Sequence, residues 1–369
     1  MCTTPYKICY VVNSVSETSV PATIATALVD YEDIQVDILA WFEADSFGGD
    51  DRVNVIDLGA PRSTIGIDRS TYKRVNSVLQ KYDLIQANLN HAGSLAKLMG
   101  RRFGIPLVSR EGNTRDGFTR KGRIANGLTN GFVDRIVPNS EAVYNSFTRW
   151  ERLLIDEEQV RIIPNGVDLE RIDAAADAKH NLRETLDIPP ESVLVGTASM
   201  ITEQKAYDVL IEAIDRANEA SDTRIDLVIA GDGPLRSKIE DLSNRLRIEE
   251  RVHFAGLVDR DTVYKILSGI DIYAMPSRWE GFSNAAVEAL GAGNPCVFSD
   301  IDPFSIPYQD VARFHRVDHS SELAARLTEF AEDPELRDQY GQQGRKLVEQ
   351  KYTLRKIASE YADLYSELL

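Results

Sequence analysis

Two successive series of short strands and intervening helices constrain the fold of this chain most strongly. In the first series, the apolar run at 7–12 predicts a strand, and the helical spacing of apolar residues at 21–31 predicts the helix that follows. The pattern restarts with a strand at 192–199 and a helix at 207–220. Strands that alternate with helices in this way form a mostly parallel sheet that is covered on both faces.

The two series predict two domains, because a single core stops growing near ~250–300 residues and the chain has 369. We expect an α/β protein of two doubly wound Rossmann-like domains, at 1–165 and 166–350, with a last helix at 351–369 that packs back toward the first domain. The turn at 162–168 and the polar segment after it, to about His180, predict a linker. Ligands of such sheets bind beyond the carboxyl ends of the strands, so we expect the site in a cleft between the domains.

Cysteine content and hydropathy exclude several classes of protein. The three cysteines, Cys2, Cys9 and Cys296, are too few and too scattered for a disulfide framework or a zinc site. No apolar run reaches the ~18 residues of a membrane span, and the N-terminus lacks the features of a secretory signal. The sequence therefore predicts a cytoplasmic protein.

Acidic residues outnumber basic ones, and the excess lies in the second half. The chain has 58 acidic and 42 basic residues, with 32 Asp and only 12 Lys, for a net charge of −16. Residues 1–168 have a net charge of −2, and the remaining residues have a net charge of −14. Abundant Asp with little Lys suits a protein from a halophile, and ordinary acidic solubility is the alternative.

Within the near-neutral first half, residues 58–135 form a basic segment with fourteen basic and five acidic residues, for a net charge of +9. Such a segment indicates a surface for anionic partners, either phosphate-bearing substrates or the cytoplasmic leaflet of a membrane, and solvated helix faces are the alternative. The basic residues are Arg62, Arg69, Lys73, Arg74, Lys81, Lys97, Arg101, Arg102, Arg110, Arg115, Arg120, Lys121, Arg123 and Arg135.

The segment at 277–296 carries the strongest indication of chemistry. It follows a predicted strand at 271–276 and contains Glu280 and Glu288 on either side of a turn into a helix, with Ser283 or Asn284 as the N-cap. The amide end of that helix is suited to a diphosphate, Glu288 to vicinal hydroxyls, and Glu280 to a sugar ring. Lys205, on a loop after another strand, is a candidate counter-charge for phosphates.

These residues and their order resemble the C-terminal domain of the retaining GT-B glycosyltransferases of family four, the group 1 glycosyltransferases. Weaker family segments occur at 83–112 and 135–143. The matching landmarks are IIPNGVD (162–168), MITEQKAYDVLIEAI (200–214), IAGDGP (229–234), RVHFAGLV (251–258) and AMPSRWEGFSNAAVEALGAGNPCV (274–297).

The resemblance implies transfer of a sugar from a nucleotide diphosphate sugar with retention of the anomeric configuration. It implies that Glu288 holds the ribose hydroxyls, Glu280 contacts the donor sugar and Lys205 the diphosphate. Glu280 and Lys205 are then the catalytic candidates. The donor-binding set adds Gly281, Phe282, Ser283 and Asn284 to Glu288 and Lys205.

The chain departs from the family pattern at several positions. Met200 stands where the family usually has an arginine of the donor loop, and Glu111 stands where it usually has a histidine. Asn88 replaces another histidine, although His91 lies close by. The acceptor-side candidates are His91, Arg110, Glu111, Arg120, Lys121 and Arg123, and no general base is assigned.

Carboxylate pairs with metal-binding spacing occur at Asp259 and Asp261 and at Asp300 and Asp302, but the first pattern also predicts a helix start. We expect no metal and no cofactor beyond the donor substrate. Nucleic acid is not an expected partner, because the basic residues mostly lack interleaved aromatics. The expected acceptor is a glycan or a polyprenyl or dolichyl phosphate carrier at the membrane. The alternatives are a catalytically weak nucleotide-sugar-binding subunit and another GT-B activity, such as epimerisation or phosphorolysis.

Overall fold

The computed structural model describes residues 5–16, 19–44, 50–61, 68–88, 90–177 and 182–369. Cys2, Arg62 and His180, which the sequence analysis named, lie outside these ranges. The chain divides into two compact units. The first contains Met1–Gly166 with Leu354–Leu369, and the second contains Val167–Thr353.

The first unit is built on a six-stranded parallel sheet in the order β3-β2-β1-β4-β5-β6. Its apolar strands are buried on both faces, as a parallel sheet between helical layers requires. The strands are β1 (Tyr6–Val15), β2 (Ile34–Ala44), β3 (Asn54–Asp57), β4 (Leu84–Asn88), β5 (Leu107–Glu111) and β6 (Arg135–Pro138).

Helices alternate with these strands, and the apolar spacing at 21–31 predicted the first of them. Helix α4 was not predicted, because its buried residues include Asn126, Thr129 and Asn130 instead of an apolar stripe. The helices are α1 (Val20–Leu28), α2 (Arg69–Leu79), α3 (Asn90–Phe103), α4 (Arg120–Asn130), α5 (Glu141–Asn145) and α6 (Arg149–Arg152).

The second unit repeats the architecture with a parallel sheet in the order β12-β11-β10-β7-β8-β9. The two Rossmann-like α/β halves predicted from the sequence are thus confirmed. The strands are β7 (Val193–Ala198), β8 (Ile225–Ala230), β9 (Val252–Gly256), β10 (Ile272–Met275), β11 (Cys296–Ser299) and β12 (Ala312–His315).

Apolar clusters cover both faces of this sheet, beneath helices that mostly follow the predicted spacing. The helices of this unit are α7 (Leu169–Asp177), α8 (Leu182–Thr185), α9 (Tyr207–Ala220), α10 (Arg236–Leu246), α11 (Arg260–Gly269), α12 (Asn284–Gly291), α13 (Asp302–Tyr308), α14 (Ser320–Glu332) and α15 (Pro334–Lys351), and α16 (Leu354–Ser366) follows them in sequence.

The segment predicted as a linker after residue 168 is instead largely helical. Helix α7 buries Ile172 and Ala175 and packs against α11. The prediction of a linker was wrong because apolar residues spaced by three along a mostly polar stretch are enough to give a helix one buried face.

Helix α16, although last in sequence, belongs to the first unit. Ile357, Tyr361 and Tyr365 are buried in its core, and the hydroxyls of Tyr365 and Tyr10 are 2.6 Å apart. Cys9 and Cys296 are buried without a disulfide partner. No helix in the described part of the chain is both long and apolar enough to cross a membrane.

Candidate functional site

The strand order of the second sheet reverses between β7 and β10, which lie side by side. Ligands of open α/β sheets bind beyond the carboxyl ends of the strands at such a switch point. The loop after β7 carries Lys205, and the loop after β10 carries Glu280. The fold therefore brings together two candidates that are 75 residues apart in sequence.

Lys205 and Glu280 form an ion pair that is largely shielded from solvent. Lys205 Nζ lies 2.5 Å from Glu280 Oε1, and the two side chains are 16% and 6% exposed. Ser277 donates its hydroxyl to the same oxygen at 2.9 Å, and the Gln204 amide donates to Oε2 at 3.2 Å. Donors at both oxygens hold the Glu280 carboxylate in one orientation.

Arg278, which the sequence analysis did not single out, ties the two loops together. Its backbone N–H donates to the carbonyl of Gln204 at 2.7 Å, and its guanidinium donates to the carbonyl of Glu203 at 2.7 Å. Asp208 and Asp318 accept from the same guanidinium, each at 2.7 Å. Burial disfavours the charge on Arg278, but the two carboxylates outweigh it and raise the pKa of Arg278.

The next residues lead from the Glu280 loop into α12. Ser283 is the N-cap, and its hydroxyl accepts a hydrogen bond from the Ala286 N–H at 3.3 Å. Phe282 packs against Tyr352, with ring centroids 6.3 Å apart. Gly281 and Asn284 flank this cap, so four of the donor-binding candidates, residues 281–284, form one continuous segment at the positive end of a helix.

Glu288 lies on α12, one turn beyond the cap, and is 5% exposed. Arg260, at the start of α11, donates to one of its carboxylate oxygens. Burial raises the pKa of Glu288, and the charge of Arg260 opposes this only in part. Arg260 could not be recognised from the sequence as a partner of Glu288, because nothing in the order of residues places the start of α11 near α12.

Glu111, an acceptor-side candidate in the first unit, lies inside a closed polar network. It accepts hydrogen bonds from Arg115 at 2.9 Å and from the Asn126 amide at 2.9 Å. Lys97 lies 3.7 Å away, and both Lys97 and Glu111 are almost fully buried. Burial alone would raise the pKa of Glu111, but the charges of Lys97 and Arg115 lower it to about 2. Glu111 is therefore ionised and already satisfied.

The other acceptor-side candidates are not gathered at one site. Arg110 is 3% exposed and donates to Asn165. His91 stacks on Phe42, with centroids 6.2 Å apart. Arg120, Lys121 and Arg123 lie instead in the first turns of α4, where the first two are exposed and the third partly so.

The basic segment is therefore not wholly a surface, which corrects the prediction. Lys97, Arg110 and Arg115 lie in the interior. Glu111 compensates the charges of Lys97 and Arg115 from within, and Arg110 donates to Asn165.

The described residues contain no group of three or more His, Cys, Asp or Glu that could hold a metal ion. Asp259 caps α11 by accepting from the Thr262 N–H at 2.8 Å, as its helix-start pattern predicted. Asp261 is paired with Arg171 at 2.6 Å.

Comparison with known families agrees with this geometry. The model of the Glycosyl transferases group 1 family matches residues 178–347, and that of Glycosyltransferase Family 4 matches residues 19–171. Two glycosyltransferase family models thus match the chain, each over less than half of its length. The family predicted from the landmark segments is thereby confirmed.

Two relatives illustrate the range of this glycosyltransferase family. An uncharacterized glycosyltransferase of Methanocaldococcus jannaschii is 28% identical over 213 residues, which cover 57% of this chain and 54% of that protein. An Escherichia coli UDP-Gal:alpha-D-GlcNAc-diphosphoundecaprenol alpha-1,3-galactosyltransferase is 28% identical over 246 residues, covering 63% of this chain and 61% of the other. The alignment to each therefore spans less than two thirds of the relative.

A solved structure extends the likeness of fold to nearly the whole chain. Anabaena HepE, crystallised with UDP and glucose, superposes with a TM-score of 0.79 at 18% identity, covering 98% of this chain and 100% of HepE. At that identity the comparison establishes the GT-B fold.

Proposed function

We propose that the protein transfers a sugar from a nucleotide diphosphate sugar to a glycan or a lipid-linked acceptor, with retention of the anomeric configuration. The observation that carries the proposal is the Lys205–Glu280 ion pair at the strand switch point, beside the capped start of α12. The two family matches make glycosyl transfer the reaction to expect of this site.

The chemistry requires stabilisation of negative charge on the departing diphosphate. Lys205 and the positive end of α12 are the groups we assign to this task, because positioned charges and dipoles act strongly where water is excluded. Glu288 is assigned to the ribose hydroxyls and Glu280 to the donor sugar. In this assignment Glu280 also positions Lys205, since the two side chains are in direct contact.

Met200 leaves the donor loop without the second fixed cation that the family usually has there. Its side chain is 62% exposed. Arg278 is not a ready substitute, because Asp208 and Asp318 already engage its guanidinium. Lys205 therefore carries a larger share of leaving-group stabilisation in our proposal.

We propose a polyprenyl or dolichyl phosphate, or a glycan built on one, as the acceptor, at the cytoplasmic leaflet. The Escherichia coli relative named for a diphosphoundecaprenol-linked substrate supports this class. No metal takes part in the proposed reaction, and activity should therefore survive a chelator such as EDTA.

The experiment offers purified protein a panel of nucleotide sugars with and without lipid-phosphate acceptors. Mass spectrometry identifies the products, and proton NMR gives the anomeric configuration. Transfer with retention supports the proposal, whereas an inverted product contradicts retention. Product formed without an added acceptor would indicate epimerisation or phosphorolysis.

A nucleotide-sugar-binding subunit of a glycosyltransferase complex is the second candidate. It is favoured by Met200 on the donor loop and by the closed network around Glu111. Donor binding without transfer to any acceptor of the panel would favour this role.

A further inference from the structure

Helix α4 has its polarity reversed relative to a typical surface helix. Asn126, Thr129 and Asn130 point into the protein, whereas Ile124 and Leu128 each expose 53% of their surface. A helix at the surface of a globular protein normally buries its apolar side and exposes its polar side. The polar residues turn inward because Glu111 and Lys97 need hydrogen-bond partners there.

Helix α3 buries apolar residues such as Ala96, but it also buries a lysine beside an exposed leucine. Lys97 is buried and donates from Nζ to the Asn126 side chain at 2.8 Å, whereas its neighbour Leu98 is 48% exposed. The buried polar network therefore fixes the two helices with apolar side chains directed outward. Phe132, just after α4, adds a further side chain that is 43% exposed.

The outward side chains of α3 and α4 form one continuous face. Both helices connect neighbouring parallel strands, β4 to β5 and β5 to β6, so they run side by side on one face of the sheet. An open groove of about 670 Å³ lies along them, lined mainly by apolar groups that include Leu95, Leu98, Leu128 and Phe132. We call this surface the α3–α4 face.

Positive charge lies at both ends of the α3–α4 face. Arg101 and Arg102 are exposed in the last turn of α3, and Arg120, Lys121 and Arg123 lie in the first turns of α4. Glu111 and Asp116 are the acidic residues of the segment 90–133, and Glu111 is buried. An acidic run at 156–158 follows Leu154 and marks the edge of the face.

We propose that the α3–α4 face docks on the surface of an anionic lipid bilayer. Ile124, Leu128 and Leu98 would enter the boundary between headgroups and acyl chains, while the flanking arginines and lysine contact lipid phosphates. This combination of an apolar face and basic residues is what binds an element in the plane of an interface. Each basic residue near an anionic surface adds to the attraction.

Charge favours a bilayer over a second copy of the chain. In a two-fold dimer built on this face, the same basic residues of both copies would be brought close together and repel. An anionic leaflet attracts them, and it repels the rest of a chain whose net charge is −16. An anionic membrane therefore favours the orientation in which the α3–α4 face is turned toward it.

The test is flotation of the full chain with phosphatidylcholine vesicles that contain or lack phosphatidylglycerol. We expect stronger binding to the anionic vesicles than to the neutral ones. The double variant Ile124→Ser/Leu128→Ser should bind at least tenfold more weakly, because it removes two apolar side chains whose burial favours binding. The triple variant Arg120→Glu/Lys121→Glu/Arg123→Glu should lose the preference for anionic lipid.

Matched controls carry the same kinds of change on the second unit. Ile306→Ser replaces a side chain that is 56% exposed, and Lys238→Glu/Arg245→Glu reverses two exposed charges on α10. Both should leave flotation unchanged. Circular dichroism melting verifies that every variant is folded.

Salt separates the two contributions. High salt screens the basic residues but leaves apolar burial intact. The wild type should therefore keep part of its binding in high salt, whereas Ile124→Ser/Leu128→Ser should lose all of it.

Three outcomes would overturn the inference: no binding to anionic vesicles, equal binding by the wild type and the Ile124→Ser/Leu128→Ser variant, or a dimer that light scattering finds in the wild type and not in this variant. The inference goes beyond the proposed transfer reaction, because flotation requires neither donor nor acceptor. If no nucleotide sugar in the panel were transferred, the flotation result would still be valid. If the protein did not bind vesicles, the transfer result would still be valid.

Discussion

Lys205 and Glu280 are joined by an ion pair of 2.5 Å that links the loops after β7 and β10, the two strands between which the order of the sheet reverses. Each side chain has little contact with solvent, and each is the other's charged partner. A change at either residue therefore alters both the charge and the orientation of the other.

We expect Lys205→Met and Glu280→Gln each to lower kcat of sugar transfer by about 10²–10³, the range found when one positioned electrostatic group is removed from an active site. The double variant should be little worse than either single variant, because residues that act as a unit have non-additive effects. Steady-state kinetics with the donor identified by the panel measures this. Lys238→Met, on the exposed side of α10, is the matched control. If the loss of kcat in the double variant equalled the product of the two single losses, Lys205 and Glu280 would not act as a unit.

Arg278 is a positioning residue, because it joins the loops that carry Lys205 and Glu280 and is not assigned a contact with substrate. Arg278→Met should lower kcat by roughly tenfold through misplacement of Lys205 and Glu280. Arg278→Lys should recover only part of this, because a single ammonium cannot reproduce the planar fork of donors. The melting temperature should change little, because Asp208 and Asp318 are half-exposed. An unchanged kcat together with a large loss of stability would assign Arg278 a purely structural role.

Glu288 should make nucleotide affinity depend on pH. Burial raises its pKa, and the protonated carboxyl is a poorer acceptor for two ribose hydroxyls. Affinity should therefore be full above the raised pKa of Glu288 and fall as the pH is lowered through it. In Glu288→Gln this pH dependence should be absent, and binding at neutral pH should be about 10–100-fold weaker, since a hydrogen bond to a charged group contributes ~1.5–3 kcal/mol.

Calorimetric titration of the nucleotide and its 2′-deoxy analogue across pH measures the contribution of Glu288. The wild type should prefer the ribonucleotide, and Glu288→Gln should lose most of that preference. Equal loss of affinity for both nucleotides would contradict contact with the ribose.

Much of the fold could be predicted from sequence because parallel strands buried on both faces are continuous apolar runs, as in β7 and β8. The segment around Glu280 and Glu288 could also be found, since a strand, a turn and a capped helix follow one another locally. Helix α4 could not, because its buried side is polar and depends on Glu111, which lies on a different element.

The partners of the site residues were beyond sequence reasoning for a related reason. Arg278 reaches Asp208 and Asp318, and these contacts join positions 70 and 40 residues apart. Arg260 reaches Glu288 only because α11 and α12 lie close together in the folded unit. Such pairings depend on strand order, which spacing along the chain does not determine.

Acid stability tests the network around Glu111. The pKa of Glu111 is lowered to about 2 in the folded protein, against an unfolded value near 4.5. The carboxylate therefore contributes its full stability above about pH 4.5, and this contribution is lost as the pH falls toward about 2. Glu111→Gln should flatten that part of the acid unfolding profile. At neutral pH it should lower the free energy of unfolding by about 3–5 kcal/mol, because Lys97 and Arg115 lose a buried partner.

Urea unfolding between pH 2 and 7 measures both effects. Asp116→Asn removes an exposed carboxylate from the same segment and should change the free energy of unfolding by less than about 0.5 kcal/mol. The double variant Lys97→Met/Glu111→Leu removes the buried base together with the buried acid, and it should recover part of the loss because neither charge is left without its partner. If Glu111→Gln were as stable as the wild type at neutral pH, the Glu111 carboxylate would not be what holds the inner faces of α3 and α4 together.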